Sequence, residues 1–457
     1  MKMKSRKLVL LLLCCILAGS TGTMSARQQH PAKKAIQHKP PATAKKASGK
    51  PSTARKGKAG NNAAPTFTPP NRIQQENGLS PFFDALQLKD QVVSVLQLGD
   101  SHVQAGFFPA ALASRLQGDF GNAGRGWVFP FNLANTNGPS DYKWSSARIW
   151  DTQRIVDRSL NEAPGPGGME LTTRQHTISL QFSGNDGNAM DNTVKKATLL
   201  YYGGDDATVT AGGAQVNIQP VPLPGDALKL TDATLTFDTP VNGFTANWLT
   251  QSNANFHFYG ALLQNGHPGI LYSAIGVNSA MYQHYNDNSS TLTALMTVLQ
   301  PQLVIISLGT NEAYGGITAS QMAANIDRTV TTLRELNPNV ALLLTTPAAS
   351  SIATRKAYRR RQGKRYVTSY KVSYRPNTNV LVMRNAILQY AREHQLAAWD
   401  FYEQNRGMSK AFSGAWSTDH IHFNAHGYTL QGNLLYDAIH TAYQHYSQLN
   451  IKTTAGL

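Results

Sequence analysis

Four short polar segments of the chain carry residues whose types and spacing suit acyl-transfer chemistry. Three of them follow apolar runs typical of strands, and the fourth precedes a C-terminal helix-like segment. In an open parallel sheet, the carboxyl ends of the strands form the edge at which active sites assemble. We therefore expect four segments to meet at that edge: Gly99–His102, Ile275–Ala280, Leu308–Glu312 and Thr418–Asn424.

Ser101, His422 and Asp419 form a predicted catalytic triad. A serine hydroxyl is a weak nucleophile at neutral pH, so it needs a neighbouring base. An imidazole can take the serine proton and later give it to the leaving alcohol. Asp419 lies three residues before His422, a spacing that can bring its carboxylate to the imidazole Nδ1. Because the imidazole must be neutral to act as the base, we expect activity to decrease in acid.

The tetrahedral intermediate of such a reaction needs hydrogen-bond donors for its oxyanion. We predict that these donors are the backbone N–H groups of Ser101 and Gly276 and the side-chain amide of Asn311. A glycine lets the backbone approach closely, and an amide donates without titrating. No cofactor is expected, because the mechanism needs no metal and the histidines lack a convincing zinc pattern.

Each segment also has an ordinary structural interpretation. Gly-Asp-Ser is a common turn, and Asp-x-x-His is more often a surface pair than a dyad. Asp100 is expected to act as a turn or cap residue, His102 and His420 to be structural or to face the substrate, and Asn278 and Glu312 to line the pocket. The order and placement of all four segments favour the catalytic interpretation. The predicted substrate contacts are His102, Asn278, Arg359, Arg360 and Arg361.

Strands and helices are predicted to alternate along most of the chain. Apolar runs that end in glycine or polar residues are separated by helix-like segments such as Ala323–Leu336 and Val380–His394. This alternation indicates an α/β fold with a parallel sheet covered on both faces. The predicted strands are Val92–Leu98, Gly269–Ile275, Leu303–Leu308, Val340–Thr345 and Leu396–Phe401.

Residues 145–255 break the alternation. Short runs such as Thr177–Phe182 and Gly243–Leu249 alternate apolar and polar residues and are punctuated by Gly, Asn, Asp and Pro. This pattern predicts a β-sandwich inserted between the first two parallel strands, which divides the α/β domain into residues 67–144 and 256–457. Two interpretations of the insert stay open: a carbohydrate-binding module or a purely structural one.

The four segments resemble the sequence blocks of the SGNH, or GDSL-type, hydrolase superfamily, which carry Ser, Gly, Asn and His in this order. Ser101, Gly276, Asn311 and His422 match these blocks, with Asp419 as the triad acid. The resemblance covers approximately Phe82 to Leu435 without the insert. It implies a three-layer, flavodoxin-like α/β domain and serine esterase activity.

The Gly-Asp-Ser-His form, the position of the insert and Ile-Gly-Val-Asn-Ser-Ala look most like bacterial peptidoglycan O-acetylesterases. Those enzymes remove acetyl groups from the 6-hydroxyl of muramic acid and carry a carbohydrate-binding-like module at this point. Ser279 departs from the glycine expected in such relatives. The resemblance implies an O-acetylated cell-wall glycan as substrate. The alternatives are a polysaccharide O-acetyltransferase with the same triad and a non-catalytic glycan-binding envelope protein.

The formal charge of +16 is concentrated at the N-terminus. Residues 1–66 hold 14 of the 42 lysines and arginines and no acid, whereas the remainder has 28 basic and 26 acidic groups. This near-neutral remainder makes the total charge poor support for a nucleic-acid partner, and none is expected. Residues 1–26 are typical of a signal peptide and contain both cysteines, and residues 27–66 are predicted to be a disordered basic linker.

We therefore expect a periplasmic or secreted protein that has no thiol after cleavage. The linker could act as a solvated tether or lie on an anionic envelope surface. A second basic segment runs from Arg355 to Arg375, with interleaved tyrosines and no acid. It is predicted to be a loop near the site. This composition suits anionic sugars or, less readily in an exported protein, nucleic acid, and a solvated loop remains an alternative.

Overall fold

The computed structural model describes residues 70–160, 162–185, 190–224, 228–363 and 365–455, so the predicted signal peptide and linker lie outside it. A seven-stranded sheet, called the central sheet, organises the fold. Its strands are parallel except the edge strand Ile73–Gln74, which confirms the predicted mixed α/β class with a parallel sheet. The strand order is Ile73–Gln74, Ala397–Trp399, Ala341–Thr345, Leu303–Ser307, Val92–Gly99, Gly269–Gly276 and Asn122–Gly124.

The strand Val92–Gly99 lies between two parallel neighbours. Gly99 pairs with Gly276 on one side and with Ser307 on the other, so three strands end at the same level. Because parallel strands that end level present their following loops side by side, the first three polar segments meet at one edge.

Both faces of the central sheet are buried. Val93 and Val95 belong to one apolar cluster, whereas Leu96 and Leu98 belong to the other, as expected for side chains that alternate between faces. The helices that contribute to the first cluster include Ser80–Gln87, Phe107–Phe120 and Ala425–Ala455. Those that contribute to the second include Tyr282–Asp287, Ser289–Leu299, Ala319–Leu336 and Thr378–Glu393.

The predicted strand Leu396–Phe401 is shorter in the structure, where it spans Ala397–Trp399. Asp400 instead caps the helix Phe401–Gly407, because its side chain accepts a hydrogen bond from Glu403 N. Phe401 packs in the core at the start of this helix. The sequence prediction was too long because an apolar helix start cannot be distinguished from a strand end by composition alone.

Two antiparallel sheets lie between the adjacent central strands Val92–Gly99 and Gly269–Gly276 in sequence. Trp144 and Trp248 of the smaller sheet contact Phe258 of the larger one, with ring centroids 5.5 and 5.8 Å apart. The smaller sheet contains Thr208–Ala211, Gly243–Leu249, Thr177–Gly184 and Tyr142–Ser145. The larger contains Ala214–Pro220, Thr231–Val241, Val194–Tyr202, Phe256–Gln264, Met169–Thr173 and Asp151–Arg154, with Gly126–Val128 paired to Phe256–Gln264. These sheets extend beyond the predicted bounds of 145–255 on both sides.

The basic segment predicted as a loop is a two-stranded antiparallel ribbon instead. Its strands, Ser351–Gln362 and Arg365–Pro376, pair along their whole length and pair with no other described strand. We call this element the ribbon. Separately, none of the helices within the described residues is long and apolar enough to cross a membrane.

Candidate active site

Ser101 is the first residue of the short helix Ser101–Gln104, directly after the central strand. Asp100 caps this helix, because its Oδ1 accepts a hydrogen bond from His102 N at 2.9 Å. The abrupt change from strand to helix leaves the Ser101 side chain half-buried at the carboxyl edge of the sheet. A hydroxyl in this position is accessible from solvent yet fixed by buried backbone.

Ser101, His422 and Asp419 form one continuous chain of hydrogen bonds. Ser101 Oγ and His422 Nε2 are 2.8 Å apart, and His422 Nδ1 lies 2.7 Å from Asp419 Oδ2. If His422 Nδ1–H donates to the Asp419 carboxylate, Nε2 is left as the acceptor for the serine proton. The geometry therefore brings together the three residues predicted as a triad and allows proton transfer from the serine to the histidine.

The Asp419 carboxylate is held in its charged form by local hydrogen bonds. Burial alone would raise its pKa, but the His422 side chain and the backbone N–H groups of Ile421 and His422 lower the pKa below the ordinary value. The two N–H groups lie 2.9 and 3.0 Å from Asp419 Oδ1. Asp419 can therefore stabilise a positive charge on the imidazole and fix its orientation.

The loop that carries Asp419 and His422 is fixed by the base of the ribbon. Ser351 N donates to His420 O at 3.0 Å, and Tyr374 Oη donates to Thr418 O at 2.8 Å. The Tyr374 ring stacks on the His420 imidazole with centroids 3.8 Å apart. His420 itself has a φ of 57°, in the left-handed region, so it is a turn residue with a stacked side chain.

Asn311 lies in the helix Thr310–Gly315, which follows the central strand Leu303–Ser307. Its Nδ2 donates to Ala280 O at 2.9 Å and to Asp100 Oδ2 at 3.2 Å. Both amide hydrogens are thus engaged in the free protein, which orients the amide beside Ser101. Burial raises the pKa of the Asp100 carboxyl to about 8, although the hydrogen bond from His102 N–H opposes this shift.

Gly276 is the last residue of the central strand Gly269–Gly276, and Ser279 lies in the turn after it; the two have different surroundings. Gly276 is buried, and a Cβ at this position would lie 2.3 Å from Gln104 N and 2.5 Å from Asp100 O. Its lack of a side chain lets the strand contact the helix that carries Ser101. Ser279 is exposed and has a φ of 69°, a backbone conformation that favours glycine. Of these two residues, Ser279 lines the cavity next to the triad.

The cavity at the triad has a volume of about 480 Å³. Its wall is mixed, because hydroxyl, amide and imidazole groups alternate with apolar side chains. The lining residues are Ser101, Ala105, Phe107, Asn137, Asn278, Ser279, Thr310, Asn311, Tyr314, Ile421, His422, Phe423, Asn424, Ala425 and Tyr428.

His102 lies behind the triad rather than in this cavity wall. Its ring centroid is 4.9 Å from that of His422, and its Nδ1 is 2.9 Å from Tyr428 Oη. Burial, together with the neighbouring His422, lowers the pKa of His102 to about 3. His102 is therefore neutral near pH 7, packs against the His422 imidazole and does not line the cavity in which it was predicted to contact the substrate.

Glu312 is also buried away from the cavity wall. Its Oε1 accepts a hydrogen bond from Tyr282 N at 2.8 Å, and burial raises the pKa of its carboxyl to about 7. The prediction that Glu312 lines the pocket is therefore wrong. An acidic residue next to Asn311 looks like a pocket residue in the sequence, but the helix turns it toward Tyr282.

Asn278 does line the cavity, and its amide is held by a neighbouring segment. Asn278 Nδ2 donates to Asn137 Oδ1 at 2.7 Å and to Thr136 Oγ1 at 3.1 Å.

The arginines predicted as substrate contacts, Arg359, Arg360 and Arg361, are exposed on the ribbon and do not line the cavity.

Sequence reasoning missed several cavity residues, among them Asn137, Tyr314 and Tyr428. Tyr314 follows Asn311 by three residues on one helix, so helical spacing could have indicated it. Tyr428 is in the first turns of the C-terminal helix, six residues after His422. Asn137 carries no sequence signal, because only its long-range contact with Asn278 brings it to the site.

Residues 242–430 match the family model of the GDSL-like lipases and acylhydrolases. Over these residues the chain resembles that family, and it is an esterase. The match includes the segments of this esterase that carry Gly276, Asn311 and His422, whereas Ser101 lies before the matched residues. No curated protein matches this esterase in sequence.

The fold of this esterase is similar to that of a solved peptidoglycan O-acetylesterase, with a TM-score of 0.63 and 20% sequence identity. That similarity covers 82% of this chain and 99% of the other. A lipase/acylhydrolase from Enterococcus faecalis is similar over 37% of this chain and 76% of its own, with a TM-score of 0.28 and 19% identity. The first similarity thus extends over most of both chains.

Proposed function

We propose that the chain is an exported serine esterase that removes O-acetyl groups from a cell-envelope polysaccharide, namely O-acetylated peptidoglycan. The observation that carries this proposal is the hydrogen-bonded path from Ser101 through His422 to Asp419 beside an open cavity. The polymer is suggested by the similar fold of a peptidoglycan O-acetylesterase.

In the acylation step, Ser101 Oγ attacks the acetyl carbonyl carbon while His422 Nε2 takes the serine proton. The tetrahedral intermediate collapses, the bond to the sugar oxygen breaks, and His422 returns the proton to that oxygen. The acetyl group is then bound to Ser101 Oγ as an ester. In the deacylation step, His422 takes a proton from water while the water oxygen attacks the acyl carbon and forms a second tetrahedral intermediate. This intermediate collapses, the bond from the acyl carbon to Ser101 Oγ breaks, His422 returns the proton to Oγ, and acetate leaves.

The oxyanion of each intermediate needs donors near Ser101. We assign the backbone N–H of Ser101, the Asn311 amide and the backbone N–H of Ser279. Ser279 is chosen over the predicted Gly276, because Ser279 lines the cavity and Gly276 is packed against Gln104. Asn311 would move one N–H from its present acceptor to the oxyanion when the intermediate forms.

The two antiparallel sheets are proposed to be the inserted β-sandwich, with a carbohydrate-binding-like role beside the esterase site. The support is their aromatic packing and their place between two adjacent central strands.

The proposal that the protein is exported rests on the basic and apolar pattern of residues 1–26. Within the envelope, the basic linker at 27–66 would lie on an anionic surface.

The test is acetate release from O-acetylated peptidoglycan, compared with acetylated xylan, by the wild type and Ser101→Ala. Ser320→Ala is a matched control, because Ser320 is an exposed residue on a helix away from the cavity wall. We expect release by the wild type and the control and its loss in Ser101→Ala. Transfer of acetyl to an added glycan acceptor, without release to water, would favour the transferase alternative. Unchanged turnover by Ser101→Ala would overturn the serine mechanism.

A further inference from the structure

The ribbon is an exposed, strongly basic element without any acid in its sequence from residue 351 to 376. Most of its side chains are exposed, including Tyr366 at 64% and Tyr370 at 63%. A two-stranded ribbon is only marginally stable in water by itself, so its composition should include stabilising opposite-charge pairs. Like charges crowd this ribbon instead, which indicates that its composition is suited to a partner rather than to its own stability.

The strand pairing divides the ribbon into two chemically different faces. Side chains of a strand alternate between faces, and directly paired residues share one face. Tyr374 pairs with Ala353, and Tyr370 pairs with Ala357. One face, called the tyrosine face, therefore carries Arg355, Arg359, Arg361, Tyr366, Tyr370 and Tyr374. The opposite face carries Lys356, Tyr358, Arg360, Arg365, Lys371 and Arg375.

The tyrosine face begins at the catalytic loop. Tyr374, its residue nearest the base, stacks on His420 and donates to Thr418 O. At the end of the ribbon nearest the cavity, Tyr314 Oη donates to Ser351 O at 2.8 Å, and Tyr314 lines the cavity. Tyr314 thus links the cavity wall to the ribbon whose tyrosine face carries Tyr374, Tyr370 and Tyr366.

We propose that the tyrosine face holds a carboxylate-bearing glycan strand that extends from the cavity. The tyrosine rings would pack on sugar faces, and the arginines would pair with carboxylates through two parallel N–H donors. Arg359 lies 5.8 Å from the Tyr366 ring centroid, so a charged and an aromatic group are already adjacent. The inference rests on the proposed function, because the bound strand is the one that carries the acetyl ester.

The spacing and the tip of the ribbon favour a glycan over other polyanions. Successive tyrosines are four residues apart, about 13 Å along a strand. This distance exceeds the roughly 3.4 Å between stacked nucleotides, so the rings offer no continuous base stack. The turn at the tip, beside Gln362 and Arg365, is polar, whereas insertion into a lipid surface needs an apolar tip.

The test compares two double variants of the full chain that remove the same charge. Arg359→Gln with Arg361→Gln changes the tyrosine face, and Lys356→Gln with Lys371→Gln changes the opposite face. For each, KM is measured with O-acetylated peptidoglycan, and 4-nitrophenyl acetate turnover serves as the reference activity. We expect KM for the polymer, corrected for any change in 4-nitrophenyl acetate turnover, to rise about tenfold for the first pair of substitutions. For the second pair, we expect it to rise less than about twofold.

Tyr366→Ala with Tyr370→Ala should raise the relative KM as well, since this variant keeps all the charge. Equal effects of both charge pairs, or none, would overturn the assignment to one face. Binding must also be measured directly, by sedimentation of Ser101→Ala protein with insoluble peptidoglycan. A duplex DNA oligonucleotide and phosphatidylglycerol vesicles serve as the competitors. Stronger binding to DNA or vesicles, lost in the tyrosine-face variants, would contradict the glycan. Because sedimentation requires no turnover, it separates failure of this inference from failure of the proposed esterase activity.

Discussion

Asn311 Nδ2 donates a hydrogen bond to the buried carboxyl of Asp100, the residue that directly precedes Ser101. The same carboxyl accepts the backbone N–H of His102 and so caps the helix that presents the serine. One side chain thus links the orientation of the nucleophile to that of a proposed oxyanion donor. This role goes beyond the capping function predicted for Asp100.

We predict that Asp100→Asn lowers kcat by about tenfold or more with a smaller change in KM. An amide has only one accepting atom, so its NH2 group would face either His102 N–H or the Asn311 amide. Asn311 would then rotate away from the oxyanion. The measurement is steady-state turnover of a small acetyl ester, with thermal unfolding to check the fold. The Asp437→Asn variant is a control, because Asp437 is exposed. Equal kcat values in both variants would exclude the positioning role of Asp100.

Asp419→Asn should lower kcat by about 10²–10⁴-fold while Ser101 and His422 stay in place. The amide would favour the wrong imidazole tautomer and would not stabilise the charged imidazole. Single-turnover release of 4-nitrophenol measures the acylation step directly. A variant that retained more than about a tenth of wild-type kcat would show that Asp419 only forms a surface pair.

Gly276→Ala and Ser279→Gly should have opposite effects on the free energy of unfolding. The new methyl group at 276 would overlap Gln104 N and Asp100 O, so we expect the free energy of unfolding to fall by about 1–3 kcal/mol. A glycine at 279 removes left-handed strain of about 1 kcal/mol and keeps the backbone N–H, so stability should rise and ester turnover should persist. Urea unfolding and kcat of both variants test this. Loss of activity in Ser279→Gly at unchanged stability would instead require the Ser279 hydroxyl.

Glu312→Gln should remove a pH dependence of stability. The folded pKa of Glu312 is raised from 4.5 to about 7, so between these values the folded protein holds a proton that the unfolded chain has released. Rising pH therefore destabilises the wild type in this window. We expect the variant to gain on the order of 2 kcal/mol relative to the wild type between about pH 5 and pH 8.

Urea unfolding at several pH values measures this difference. Asp100 and His102 titrate in both proteins, so their contributions largely cancel. Glu335→Gln, which changes an exposed glutamate, should show no such trend. A constant difference between Glu312→Gln and the wild type across the window would mean that Glu312 is not buried in its neutral form.

The sequence predicted the strands around the site because buried parallel strands are continuous apolar runs, as in Leu303–Ser307. It also predicted which residues meet, since Ser101 and His422 each lie in a polar segment beside a regular element. It could not show that Gly276, at the end of the strand, is packed against Gln104 whereas Ser279 lines the cavity, because these positions depend on long-range packing. The ribbon was missed because its exposed strands lack the apolar alternation that marks a half-buried strand.

The strand that leads into Ser101 obtains both of its sheet neighbours from much later in the chain. Val92–Gly99 pairs with Gly269–Gly276 and Leu303–Ser307, and the two antiparallel sheets are synthesised in between. An apolar strand made early must therefore wait unpaired while the two antiparallel sheets emerge, and such distant pairings form slowly. We expect the nascent chain to depend on protection from self-association during this interval, and the active site to be among the last parts to assemble.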